Sequence, residues 1–79
     1  MEWRNRIVCD PKILFGKPTI KGTRISVELI LGWLSADWNL DQLLEAYPNI
    51  RREDVLAALA YASELVHDDG ILPLTEAAA

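Results

Sequence analysis

Very little in this sequence invites covalent chemistry. Among 79 residues there is one cysteine, Cys9, and one histidine, His67. A lone cysteine cannot build an internal disulfide framework, and it fits a reducing, cytoplasmic setting. Cys9 and His67 lie far apart in sequence, so no nucleophile–base pair is evident. Structural and catalytic metal sites gather three or four ligands, whereas His67-Asp68-Asp69 reads as a solvated helix end, with His67 well placed in the last turn. The residues therefore point to a protein that is not an enzyme, with no metal and no cofactor. Long apolar runs are missing too. None approaches the roughly 18 residues that span a bilayer, and only three apolar residues follow Met1-Glu2-Trp3-Arg4-Asn5-Arg6 before Asp10, which is not a signal-peptide pattern. Glycine and proline number four each, but Gly16, Pro18 and Gly22 crowd into one stretch, from Gly16 to Val27.

What is present is apolar and unevenly charged. Hydrophobic residues make up 51% of the chain and three are tryptophans, enough for one small domain with a modest core that dimerisation would enlarge. Residues 1–24 hold six cations against two acids, a balance of +4, while residues 25–79 hold two cations against ten acids, a balance of −8. A basic head on an acidic body points to an anionic partner at one end.

Arg6-Ile7-Val8-Cys9 is a short β-favouring run stopped by Asp10-Pro11. Thr19 to Ile25 alternates polar and apolar around Gly22, which predicts a second strand over about 19–25 with a bend at the glycine. The two strands are expected to pair as a hairpin-like flap lying on the helices or on a second copy. Gly16 to Thr23 is not a phosphate loop: five residues separate the glycines where four are needed, and Thr23-Arg24 follows instead of Lys-Ser or Lys-Thr.

Helices follow. Ser26 is the predicted N-cap of the first, with Glu28 in its first turn. Val27, Ile30, Leu31 and Leu34 make one stripe, and Leu29, Trp33 and Ala36 a second, so this helix needs two surfaces to pack against. Asn39 and Gln42 form a capping-box pattern for a short second helix that Pro48 ends. Glu53-Asp54 opens a third, whose predicted inward stripe is Val55, Ala58, Leu59, Ala62 and Val66, with Ala57, Ala60, Tyr61 and Glu64 outward. The domain is expected over residues 1–70 and a tail over 71–79. The fold class is mainly α, and the order short helix, turn, longer helix resembles a helix-turn-helix.

If DNA is bound, reading by the third helix is disfavoured, because its predicted outward face lacks Arg, Lys, Asn or Gln. The candidate contacts are Lys17, Lys21 and Arg24 on the flap, backed by Arg4 and Arg6, with Arg51 and Arg52 at the start of the third helix.

Asp10-Pro11, Gly16-Lys17-Pro18, Ile20 to Val27, Tyr47-Pro48, Glu53-Asp54-Val55, Ala57-Ala58-Leu59 and Tyr61-Ala62 together resemble domain-of-unknown-function family 433. The resemblance covers residues 6–66. It implies a compact homeodomain-like helical domain with a short N-terminal β element, often dimeric. It also implies an antitoxin role of the VapB kind in a type II toxin–antitoxin pair, with a PIN-like ribonuclease as the toxin. No catalytic residue transfers. The chain departs from the family at Arg51, where Ser or Thr usually caps, and at Asp37-Trp38, where a glycine is usual and where an exposed aromatic is now expected.

The leading expectation is an antitoxin-like adaptor. It would dimerise through Leu29, Trp33, Ile20 and Ile25, hold the toxin through Ile71, Leu72 and Leu74, and bind operator DNA weakly through its cations. The alternatives are a stand-alone dimeric DNA-binding regulator and a dimeric protein-interaction module without DNA binding.

Overall fold

The structure, a computed structural model, describes residues 1–68. The chain runs through strand β1 (Ile7–Val8), a tight turn at Leu14–Gly16, strand β2 (Thr19–Ile20), and helices α1 (Val27–Ser35), α2 (Leu40–Ala46) and α3 (Arg52–Asp68). It is mainly helical, with one two-stranded antiparallel sheet in which Ile7 faces Ile20 and Val8 faces Thr19. No helix among the described residues is long and apolar enough to cross a membrane.

The expected second strand is shorter than the alternation predicts. It stops at Ile20, and the chain turns back at once. The Thr23 amide donates to the Ile20 carbonyl at 3.0 Å, and Gly22 sits at φ +80°, the left-handed position that such a turn reserves for glycine. The Thr23 hydroxyl donates to the same Ile20 carbonyl at 2.8 Å and accepts from the Ile25 amide at 3.0 Å. Ile20 then donates to the Ile25 carbonyl at 2.9 Å, and Thr19 bridges to Ser26. Gly22-Thr23 is thus a reversal that lays Ile25 and Ser26 back along β2.

Capping follows the sequence. Ser26 Oγ accepts from the Leu29 amide at 2.9 Å, and Asn39 and Gln42 close their reciprocal box at 2.9 and 2.8 Å. Alpha-1 ends differently from expectation. Asp37 takes φ +72°, its amide reaching the Leu34 carbonyl at 3.1 Å while the Trp38 amide reaches that of Trp33 at 3.1 Å. This is a Schellman ending with aspartate in glycine's usual place. Its apolar contact is Trp38 stacked on Trp33 at 4.1 Å. Trp38 is therefore half-buried instead of exposed.

The core gathers Ile7, Ile20, Ile25, Val27, Ile30, Leu43, Ile50, Val55, Ala57 and Ala58. Ile30 and Leu43 are fully enclosed, each such side chain contributing about 1.5–3 kcal/mol. Alpha-3 packs on α1, β1 and α2. Its inward face is rotated from the predicted stripe. Val55 and Ala58 are buried as predicted, but so is Ala57, whereas Leu59 and Val66 are 43% and 53% exposed. The N-terminal segment explains the rotation. Trp3 packs edge-on against Tyr61 and donates to Glu64, so the arc through Ala57, Tyr61 and Glu64 is covered from that side.

Candidate functional site

The structure sorts the cations into two groups. Arg4, Arg6 and Lys17 are paired: Arg4 with Glu64 at 2.7 Å and Glu2 at 3.3 Å, Arg6 with Asp54 at 3.0 Å, and Lys17 with Glu28 at 2.9 Å. Lys12, Lys21, Arg24, Arg51 and Arg52 form no ion pair among the described residues. Four of the five predicted DNA contacts thus have no acid partner among the described residues. Lys17 has one, because β2 and α1 bring it beside Glu28.

A short relay ties the flap turn to the start of α3. The Lys21 amide donates to the Arg6 carbonyl at 2.8 Å. The Arg6 guanidinium donates to Asp54 Oδ1 at 3.0 Å, and Asp54 Oδ2 accepts from the Arg51 amide at 2.9 Å. Asp54 is buried and Arg51 and Arg52 are exposed. Lys21 is thereby tied through Arg6 to the end of α3 where Arg51 and Arg52 emerge, and Arg24 follows it just past the Gly22 turn. Arg51 occupies the N-cap, since its carbonyl accepts from Asp54 and Val55. Half of the usual cap is present, the acid reaching back to the N-cap amide. The other half is missing, because arginine has no acceptor atom.

Beyond Arg52, the exposed side of α3 is Glu53, Leu56, Leu59 and Ser63, which cannot read base edges as Arg, Lys, Asn or Gln do. The predicted outward set is corrected in its members, while the lack of base-reading groups holds.

Other exposed surfaces are apolar. Leu29 and Trp33 border an open groove of about 600 Å³ with Gly32 and Ala36. Leu29 is 39% exposed, but Trp33 is half-buried, its indole N–H donating to the Tyr47 hydroxyl at 2.9 Å. Ile20 and Ile25, predicted to face a second copy, are 2% and 8% exposed. The turn at Gly22 folds both into the chain's own core, which leaves them nothing to offer a partner. A second groove, about 400 Å³, runs between α1 and α3 and is lined by Pro18, Val27, Glu28, Leu31, Tyr61, Ala62 and Leu65. Phe15 is fully exposed, and it and Leu14 hold left-handed backbone at φ +58° and +50°, which costs a non-glycine residue roughly 1–2 kcal/mol. Ile71, Leu72 and Leu74, the predicted toxin contacts, lie outside the described residues.

One feature was not legible in the sequence pattern. Trp3 Nε1 donates to Glu64 Oε2 at 2.7 Å, and Arg4 takes Glu64 Oε1 at 2.7 Å while its guanidinium lies 4.6 Å over the Trp3 ring. The indole hydrogen bond, and then Arg4, hold the Glu64 carboxyl below its ordinary range. Glu64, and then Glu2, raise the Arg4 guanidinium further above its own. No local period links residues 61 apart; only the surplus of aromatic and charged groups near residue 3 hinted at a use for them. Among the described residues no three His, Cys, Asp or Glu gather as metal ligands would.

A small, mainly helical domain with a Gly-turned β flap defines the class. The chain belongs to the family described as "Protein of unknown function (DUF433)", matching it over residues 7–62. It is also similar to "Uncharacterized protein y4eO" of Sinorhizobium fredii (strain NBRC 101917 / NGR234), 32% identical over 59 residues, which is 75% of this chain and 27% of that protein. The chain therefore spans about a quarter of that relative's length. No solved structure matches it. The matched span holds Lys21, Arg24, Arg51 and Arg52, whereas Trp3, Arg4 and Glu64 fall outside it.

Proposed function

We propose that the chain is a non-enzymatic, antitoxin-like module of the cytoplasm that holds a PIN-like ribonuclease toxin and touches operator DNA only through phosphates. The observation that carries this reading is the apolar groove between α1 and α3, lined by Pro18, Val27, Leu31, Ala62 and Leu65. Open apolar surface of this kind is characteristic of protein-binding sites. The acidic balance of residues 25–79 favours a basic, RNA-handling surface opposite it. A homeodomain-like docking of α3 in the major groove receives no support from Leu56 and Leu59 on its exposed side, whereas Lys21, Arg24, Arg51 and Arg52 suit phosphate contacts that position without reading sequence.

Co-expression with the neighbouring open reading frame tests the proposal. The expected result is a purified complex, restored growth, and loss of the partner's ribonuclease activity. Leu65→Glu or Leu31→Glu should weaken the complex at least tenfold. A partner whose ribonuclease activity is untouched by excess of this chain would sink the reading.

The unpaired cations favour a second reading, a stand-alone dimeric DNA-binding regulator. It requires duplex binding that falls steeply with salt and that is lost when Lys21, Arg24, Arg51 and Arg52 are changed to alanine. Binding that ignores salt, or survives those changes, leaves the third reading, an interaction module without DNA.

A further inference from the structure

The exposed side of α3 carries Arg52, Leu56, Leu59, Ser63 and Val66, at intervals of four, three, four and three residues. That is the a/d spacing of a two-helix seam. It is independent of both grooves above. Leu56, Leu59 and Val66 are 38%, 43% and 53% exposed, and Ser63 and Ala60 are small enough for close approach.

We propose that α3 pairs antiparallel with α3 of a second copy of this chain, about a two-fold axis near residue 61. An antiparallel seam sets each a residue against a d residue. Leu56 then meets the partner's Val66, and Leu59 meets the partner's Ser63. Each apolar layer is made twice, as a two-fold axis requires. Polar complementarity selects this register, because an imidazole N–H can donate to a carboxylate. The flanking positions are Glu53, Ala60 and His67, and the axis sets Glu53 of each copy against the partner's His67, with Ala60 beside its own mate. The antiparallel arrangement also opposes the two helix dipoles. Sliding the register by one layer either sets Glu53 against Ala60 and leaves Val66 uncovered, or sets His67 against Ala60 and leaves Leu56 uncovered.

Pairing has a consequence for nucleic acid. It covers the side of α3 that would enter a major groove and places the two Arg51-Arg52 ends at opposite ends of the seam. Only contacts to phosphate from those ends and the flap turns remain open to the dimer.

The test uses the full chain in sedimentation equilibrium over micromolar to millimolar concentrations. The wild type should self-associate, and Leu59→Glu and, separately, Ser63→Arg should weaken association at least about 100-fold while keeping the helical circular dichroism signal. Trp33→Ala should change it less than about threefold. Cysteine pairing, in a Cys9→Ser background, reads the direction. At 1.5 Å rise per residue, Leu56 lies about 15 Å along the axis from its mate in the antiparallel pair, beyond the roughly 7 Å that a disulfide tolerates. Leu56→Cys alone should therefore not cross-link, and Leu56→Cys with Val66→Cys should. A chain that stays monomeric throughout, association insensitive to Leu59→Glu, association lost in Trp33→Ala, or efficient cross-linking by Leu56→Cys alone would each overturn the proposal.

Discussion

Two struts join the N-terminal segment to α3, and they are built from the same chemistry in different surroundings. At the start of α3, Arg6 and the Arg51 amide divide the two oxygens of Asp54 between them. Further along, Trp3 and Arg4 divide the two oxygens of Glu64. Each carboxylate is doubly bonded. The Asp54 side chain is only 11% exposed, however, and the Glu64 side chain 38%. Water can replace what Glu64 loses, whereas it reaches Asp54 poorly. A buried group left without its partner carries the desolvation cost in full, while an exposed ion pair contributes little. The first strut therefore fixes the fold, and the second trims the position of the N-terminal segment.

The sharpest way to break that contrast is Asp54→Ala. It strips Arg6 of its carboxylate and the Arg51 amide of its acceptor together, and should lower stability by about 2–3 kcal/mol, read from denaturant melts. Because Arg6 also receives the Lys21 amide, the flap turn should loosen with it, visible as faster amide exchange at Lys21 and Thr23. A loss no larger than that of Glu64→Ala would show that burial does not separate the two struts.

Trp3→Ala comes next. The indole is half-buried and lies 4.9 Å from the Tyr61 ring, edge to face. Its removal should cost about 1–2 kcal/mol, less than a fully enclosed aromatic. Residues 7–62 should keep their fold, since the buried core begins at Ile7 and Trp3 only packs against it. A chain that loses its helical signal altogether would mean that the second strut is as essential as the first.

Arg51→Ser moves stability the other way. Serine at the N-cap would accept from the Asp54 amide while Asp54 still holds the residue-51 amide, completing the box and adding about 1 kcal/mol. If Arg51 serves phosphate binding, the same change should weaken DNA binding and flatten its salt slope by about one unit. A variant that melts no higher than wild type would remove the argument that arginine costs the helix its cap.

Local chemistry carried most of the fold into the sequence. Ser26, Asn39 with Gln42, and Gly22 each satisfy a requirement of the backbone within a few residues, and each is found doing so. Ile20 and Ile25 were misplaced because alternation alone cannot tell a strand that continues from one that folds back on itself. The face of α3 was misjudged because Trp3 and Arg4, sixty residues away, decide which side is covered. The cations were legible as a group. Their division was not, because pairing depends on which acids the turns bring near: Glu28 to Lys17, and none among the described residues to Lys21, Arg24, Arg51 or Arg52.

The smallest effect is the acid response of the second strut, and its sign follows from Glu64. The Trp3 indole first, and Arg4 second, lower the Glu64 carboxyl in the folded chain. The Arg4 amide does the same for Glu2. A carboxylate lowered on folding stabilises the chain at pH values above its unfolded pKa, about 4.3, and that contribution fades as pH falls through the lower folded value. The Trp3 indole N–H resonance should therefore hold its position as pH falls towards the ordinary glutamate value, about 4.3, and move only below the range where a free glutamate titrates. Glu64→Gln, which still offers an acceptor oxygen but no charge, should flatten the part of that movement due to Glu64. The core should remain folded while it happens, because the second strut is exposed. A Trp3 resonance that already moves between pH 7 and pH 5, or that titrates unchanged in Glu64→Gln, would detach it from this carboxylate.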